Sequence, residues 1–164
     1  MTLKITSPAF THQGEIPPEY TCDGADVAPE LQWSGAPPSV KSLALIVDDP
    51  DAPDPKAPKM TWVHWVLYDI PADCTGIRKG GATPEGARDG RGDSKPNGYG
   101  GPCPPIGRHR YYFKLYALDT MLGDLRAPTK TQLLEKMQGH ILSSAELMGT
   151  YARAERRDEG PRTR

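Results

Sequence analysis

The sequence predicts a mainly β, single-domain protein with one small helix near its C-terminus. The chain has 164 residues, a length that suits one hydrophobic core. Its 17 glycines and 18 prolines interrupt regular elements, so short strands and long turns are expected. Segments rich in branched and aromatic residues favour a pleated, partly buried surface. We assign residues 1–153 to this domain and residues 154–164 to a charged, disordered tail.

Five segments are predicted as strands before the helix: Leu3–Ile5, Glu30–Trp33, Ser42–Val47, Trp62–Ile70 and Arg110–Leu118. Simple alternation along the fourth would place Trp62, His64 and Val66 on one face, opposite Val63, Trp65 and Leu67. Both faces then carry apolar groups, so this strand is expected to be central.

The helix is predicted to open at Pro128 and Thr129, with Thr129 or Thr131 as its N-cap. Its apolar residues recur at helical spacing: Leu133, Leu134, Met137 and Ile141. A last strand is predicted at Ala145–Ala152.

Composition excludes several classes of function. A net charge of -1 provides no broad basic field, so no nucleic-acid partner is expected. The N-terminus has no run long enough for a signal peptide, and stretches such as Leu43–Val47 are too short to cross a bilayer. We therefore expect a soluble, cytoplasmic protein. In that compartment Cys22, Cys74 and Cys103 are interpreted as free thiols, although export would allow one pair to form.

Two groups of polar residues stand next to predicted strands. Asp48, Asp49 and Asp51 follow a buried strand, where carboxylates repel one another unless donors or a cation hold them. They could instead cap turns through the local backbone. His64 lies in an apolar strand and needs a partner, either as a packed core residue or in a site, and the Asp cluster is a candidate.

A third group closes the long Gly- and Pro-rich stretch between Gly76 and Gly107. A loop of that length is usually either functional or disordered rather than a simple connection between strands. Its small residues let backbone amides approach an anion. His109 and Tyr111 follow with the same parity, so they project to one side as hydrogen-bond donors.

These motifs resemble the pocket of the phosphatidylethanolamine-binding protein family. The matching segments, in order, are Asp49–Pro53, His64 in its aromatic strand, Gly101-Pro102 and His109–Tyr111. Tyr20–Gly24 and Gly101–Pro105 are similar to the bacterial Raf-kinase-inhibitor-like branch, and the likeness runs from about Phe10 to Leu118.

The resemblance implies a Greek-key antiparallel β-sandwich with a small cavity at one end and no cofactor. It implies a binding protein for a small anionic or zwitterionic ligand, such as phosphate or a phospho-headgroup, rather than an enzyme. Some relatives regulate a kinase or a protease by docking. The expected ligand-binding residues are Asp49, Asp51, His64, Gly101, Pro102, His109 and Tyr111. A C-terminal lid helix, found in eukaryotic relatives, is not expected here.

We expect the anion to lie against the amides of residues 98–102, with Tyr111 and one histidine donating to it. Asp49 and Asp51 would then orient the histidines and meet a cationic part of the ligand.

The alternatives use the same residues. Two Asp and two His residues would suit a metal-dependent hydrolase, although their spacing matches no standard motif. Cys103 beside His109 would suit a thiolate nucleophile, or else it is an inert packed thiol. Pairing of two copies through an exposed sheet edge or an apolar patch is a further expectation.

Overall fold

The computed structural model describes residues 2–153, so the tail predicted for 154–164 lies outside the described residues. The elements in chain order are β1 (Lys4–Thr6), a 3-10 turn (Pro18–Tyr20), β2 (Leu31–Ser34), β3 (Ser42–Ala52), β4 (Met60–Pro71), β5 (Gly76–Ile77), β6 (Arg88–Asp89), β7 (His109–Leu118), α1 (Lys130–Met137) and β8 (Ile141–Tyr151). The predicted strands are therefore present. The two-residue strands β5 and β6 lie inside the stretch expected to be one long loop.

The strands form two antiparallel sheets. The smaller has the order β1-β2-β5, and the larger has the order β6-β4-β3-β7-β8. β4 is internal in the larger sheet, as its two apolar faces predict. Strand β7 returns to pair with β3, and the resulting order β7-β3-β4-β6 is compatible with a Greek key. The mainly β, antiparallel fold predicted from the sequence is confirmed.

The large sheet is buried on both faces, which explains the continuous apolar run in β3. One face packs against the small sheet and contributes Leu45 and Leu115 to the main core. The opposite face packs against α1, where Ile46 of β3 meets Leu133 of the helix in a second core. This arrangement fixes β3, β4 and β7 as a rigid platform, and the ends of these strands carry the polar motifs.

The helix begins where the sequence predicts but ends earlier. Thr129 is the N-cap, and its side chain and that of Gln132 form a reciprocal capping box. The helix ends at Met137, and Gly139 adopts a left-handed conformation with φ of 84°. The assignment of Ile141 to the helix is therefore wrong, because the chain has already turned and β8 begins at that residue. Among residues 2–153, no helix is long and apolar enough to span a membrane.

A β-bulge in β4 overturns the predicted alternation of its side chains. Val47 pairs with Trp65 and the next residue, Asp48, pairs with Val63, which leaves His64 as an extra residue in β4. The bulge turns His64 toward the same side of the sheet as Trp65. His64 and Val66, predicted to share a face, are consequently on opposite sides, and Val66 packs under the helix.

Candidate ligand-binding site

A cavity of about 460 Å³ lies at the end of the large sheet where β3 ends and where β4 and β7 begin. Its wall is completed by the segment around Cys22 and by the loop 94–105. Of the seven residues predicted to bind a ligand, five line this cavity: Asp49, His64, Gly101, His109 and Tyr111. The antiparallel arrangement brings them together, because the C-terminal end of β3 adjoins the N-terminal ends of both neighbouring strands.

The other two predicted residues, Asp51 and Pro102, are not part of the lining. Asp51 accepts two side-chain hydrogen bonds from Arg110, of 2.9 and 2.8 Å, and a third from its backbone amide. The hydrogen bond from the Arg110 side chain lowers the pKa of Asp51, so this carboxylate is ionised. The positive charge of Arg110 already balances its negative charge. Pro102 uses its carbonyl oxygen to accept from the amide of Cys22, which is a structural role.

His109 is held by protein acceptors on both sides of its ring. Nδ1 lies 2.6 Å from Oδ2 of Asp49, and Nε2 lies 2.8 Å from the Ile106 carbonyl and 3.1 Å from the Pro53 carbonyl. Since these partners only accept hydrogen bonds, both nitrogens carry protons. Burial disfavours the charged ring, but the bond and charge of Asp49 and the Ile106 carbonyl outweigh it and raise the pKa of His109. His109 therefore has no N–H left to donate to a ligand, contrary to the sequence expectation for this residue.

His64 has the opposite protonation state from His109. Its Nδ1 donates to the Gly100 carbonyl at 2.7 Å, which leaves Nε2 as the nitrogen available to a ligand. Burial lowers the pKa of His64 and outweighs the opposing influence of the Gly100 carbonyl and nearby carboxylates, so the ring is neutral at pH 7. The bulge in β4 is what turns this ring into the cavity.

Tyr111 lies between the two histidines. Its ring stacks on His109 at 6.3 Å between centroids and meets His64 edge-on at 5.3 Å. The residue is 1% exposed, and within residues 2–153 its hydroxyl has no hydrogen-bond partner. Burial raises the pKa of Tyr111, so the hydroxyl remains protonated and can donate. An unpaired buried polar group of this kind costs roughly 1–3 kcal/mol, which makes it a candidate ligand contact.

Two of the loop amides expected from the sequence to face an anion are already bonded within the protein. The amide of Gly100 donates to the His64 carbonyl, and the amide of Gly101 donates to Oδ1 of Asp26 at 2.9 Å. Gly101 is required here because a Cβ atom would collide with the Tyr20 carbonyl and with Oδ1 of Asp26. Asp26 also lines the cavity, and the sequence argument missed it, as it missed Ser94 and Lys95. The sequence of a Gly-rich loop does not indicate which distant carboxylate will accept hydrogen bonds from its amides.

The interpretation of all three cysteines as free thiols is wrong for two of them. Cys22 and Cys103 form a disulfide across a separation of 81 residues, with Cα atoms 5.4 Å apart. Both line the cavity. The Tyr99 hydroxyl bonds the Tyr20 carbonyl nearby, so packing already holds the two segments at bonding distance. Cys103 consequently has no thiol for nucleophilic attack, which removes the thiolate alternative, whereas Cys74 is free.

Of the four side chains considered for a metal, three are already paired within the protein, and only His64 keeps a free ring nitrogen. Asp51 is paired with Arg110, and Asp49 is paired with His109. In the part of the chain that the structure describes, no three or more His, Cys, Asp or Glu residues are placed to hold a metal ion.

Comparisons with known proteins agree with this geometry. The sequence profile of the family described as phosphatidylethanolamine-binding protein matches residues 6–152. A UPF0098 protein from the archaeon Methanothermobacter thermautotrophicus is 47% identical over 155 residues, covering 92% of this chain and 99% of the relative.

Two solved structures are also similar. A phosphatidylethanolamine-binding protein homologue from Chlamydia trachomatis has a TM-score of 0.86 at 43% identity, covering 93% of this chain and 98% of its own. Escherichia coli YbcL has a TM-score of 0.83 at 30% identity, covering 93% and 99%. The relatives come from archaea and bacteria alike, so the similarity is broader than the bacterial branch expected from the sequence. The profile match over nearly the whole described chain and these relatives place this protein in the phosphatidylethanolamine-binding protein family.

Proposed function

We propose that this protein binds a small anionic or phosphate-bearing molecule in the cavity and that binding, rather than catalysis, is its activity. The observation that carries the proposal is the buried hydroxyl of Tyr111, a residue that lines the cavity, for which residues 2–153 provide no hydrogen-bond partner. Such a group is stabilised when a ligand oxygen accepts its hydrogen bond.

The charges around Tyr111 support an anion at this position. The protonated His109 stacks against the Tyr111 ring, and Lys95 lies on the loop wall. His64 presents Nε2, which accepts a hydrogen bond from a protonated ligand oxygen and donates one after taking up a proton. A phosphate monoanion supplies both kinds of oxygen, so it fits the set better than acetate does. The kinase- or protease-regulating role expected from the sequence rests on the family resemblance alone.

The test is the variant Tyr111→Phe, which removes one hydroxyl and keeps the ring. Calorimetric titration should show phosphate binding to the wild type and about tenfold weaker binding to the variant. The variant should unfold at the same or a higher urea concentration, because an unpaired buried polar group has been removed.

The matched control is Tyr99→Phe. The Tyr99 hydroxyl donates to the Tyr20 carbonyl at 2.7 Å, so its loss should lower stability by about 1 kcal/mol and leave phosphate binding nearly unchanged. If a folded wild type binds neither phosphate, acetate nor phosphoethanolamine, the proposed function is wrong. Unchanged binding by Tyr111→Phe would contradict the assignment of the hydroxyl as a contact.

A further inference from the structure

The disulfide between Cys22 and Cys103 is part of the cavity wall and is also accessible from outside. Both cysteines line the cavity, and both are exposed. The thiolate of a reductant can therefore reach either sulfur, whereas a disulfide packed in a core is protected from such attack. The bond links residues 20–26 to residues 98–105 of the loop. Its redox state consequently bears on the shape of the cavity as well as on stability.

Hydrogen bonds between the same two segments run beside the disulfide. Three of them join Cys22 to Pro102 at 3.1 Å, Tyr99 to Tyr20 at 2.7 Å and Gly101 to Asp26 at 2.9 Å. Ordering a loop of this length costs more conformational entropy than three hydrogen bonds alone return in water. Once the covalent link is broken, the closed loop is therefore expected to be the minor form. Whenever the loop closes, these bonds bring the two thiols back together, so the disulfide can form again.

The loop is connected to the binding site through His64. The Gly100 carbonyl accepts from Nδ1 of His64 at 2.7 Å, and the Gly100 amide donates to the His64 carbonyl at 3.1 Å. Gly98, two residues earlier, has a φ of 81° and open space around its Cα atom, so the backbone can hinge there when Cys103 is released. Opening of the loop would withdraw Gly100 from His64 and remove the partner that leaves Nε2 facing the cavity.

We propose that the Cys22–Cys103 disulfide is a redox switch: the oxidised form holds the cavity in its binding geometry, and reduction releases the loop and weakens ligand binding. This inference deepens the proposed function, because it assigns a regulation to the same cavity. The reductant is a dithiol. One of its thiolates attacks a disulfide sulfur, the S–S bond breaks and a mixed disulfide forms, from which the second thiolate displaces the protein sulfur. The dithiol ends as a disulfide, and its two electrons and two protons end on the two cysteine thiols.

The experiment compares the oxidised protein with the same protein reduced by dithiothreitol. Thiol titration defines the two forms, because Cys74 alone reacts in the first and all three cysteines react in the second. In calorimetric titration, inorganic phosphate should bind about tenfold more weakly to the reduced form, as expected when the closed loop is about one tenth of the population. Glutathione disulfide, which is reduced to two glutathione molecules as the protein disulfide re-forms, should restore the affinity.

His64 provides a second measurement that needs no ligand. Burial lowers the pKa of His64 in the closed protein. In proton NMR titration this pKa should move toward 6.5 on reduction, because an open loop admits water to the ring. A disulfide that only stabilised the fold would leave the His64 pKa unchanged in a protein that stays folded.

Two variants serve as controls. Cys74→Ser removes the free thiol and should keep the full response to dithiothreitol. The double variant Cys22→Ser, Cys103→Ser should bind phosphate as weakly as the reduced wild type, with or without dithiothreitol.

The outcomes separate the switch from the proposed function. A reduced protein that stays folded by circular dichroism, binds phosphate within about twofold of the oxidised form and keeps its His64 pKa would overturn the inference and leave the proposed function standing. Complete unfolding on reduction would also overturn it, because the bond would then be only a structural link. If the oxidised form binds neither phosphate, acetate nor phosphoethanolamine, the proposed function is wrong, and the His64 titration still decides whether the loop responds to reduction.

Discussion

The two sides of the cavity differ in how completely the protein satisfies their polar groups. We call the first the β7 side, defined by Asp49, Asp51, His109 and Arg110, and the second the loop side, defined by Cys22, Asp26, His64, Gly101 and Cys103. On the β7 side every one of these charges is paired within the protein. On the loop side His64 keeps one nitrogen and Asp26 one oxygen for a ligand.

The comparison shows that proximity to a cavity does not by itself make a residue a ligand contact. His64 and His109 lie on either side of the same tyrosine ring, yet their surroundings set opposite protonation states. Burial lowers the pKa of His64 and keeps its ring neutral, whereas at His109 the opposing effect of Asp49 and a backbone carbonyl outweighs burial and raises the pKa. We therefore expect the β7 side to stabilise the fold, and the loop side together with the Tyr111 hydroxyl to determine binding.

The largest expected effect comes from exchanging each histidine for glutamine. His109→Gln leaves Asp49 buried without its cationic partner, which should lower the free energy of unfolding by about 3–5 kcal/mol. His64→Gln keeps a donor for the Gly100 carbonyl, so its cost should be below about 1 kcal/mol. Urea unfolding at pH 7 measures both. Equal losses in the two variants would break the distinction between the two sides.

The next effect concerns how the loop side is held together. Replacing Cys22 and Cys103 by serine removes the covalent link between its two segments and should lower the free energy of unfolding by about 2–4 kcal/mol. The control is Cys74→Ser, which alters the free cysteine and should change stability much less. Thermal unfolding of both variants under non-reducing conditions provides the measurement. A double variant as stable as the wild type would mean that the Tyr99 and Asp26 hydrogen bonds suffice to hold the loops.

Much of the β7 side could be predicted from the sequence. The apolar runs of β3 and β7 identify both strands, and alternation places His109 and Tyr111 on one face, as observed. The relation of Asp49 to His109 also follows once β3 and β7 are neighbours. These features depend on local periodicity, which a single sequence displays directly.

The loop side depends on contacts that local pattern does not encode. The orientation of His64 comes from a bulge, which is a mismatch between β3 and β4 rather than a property of either strand. The Asp26 contact to Gly101 spans 75 residues, and the disulfide spans 81. Cysteine count and compartment argued for free thiols, but the folded positions of Cys22 and Cys103 argued for a bond. In each case the contact depends on how distant segments are placed in the fold, which neither local pattern nor composition indicates.

The smallest effect is the dependence of stability on pH, and it separates the two histidines. The folded protein raises the pKa of His109 above the usual 6.5, so its contribution is complete below pH 6.5 and is lost as pH rises through the folded value. The pKa of His64 is lowered instead, so stability falls as pH drops below 6.5 and the unfolded chain takes up the proton. These two groups alone give a maximum near pH 6.5, with slopes of at most about 1.4 kcal/mol per pH unit on each side.

Urea unfolding between pH 5 and 9 tests this assignment in the wild type and in the two glutamine variants. His64→Gln should lose the slope on the acid side and keep the alkaline one, whereas His109→Gln should do the reverse. The lowered pKa of Asp51 does not interfere, because its contribution is lost only as pH falls below about 3.8. Proton NMR titration of the two rings gives an independent readout, with His64 expected below 6.5 and His109 above it. If the acid-side slope survives in His64→Gln, that ring is not the neutral group of the loop side, and a ligand would have to find its second partner elsewhere in the cavity.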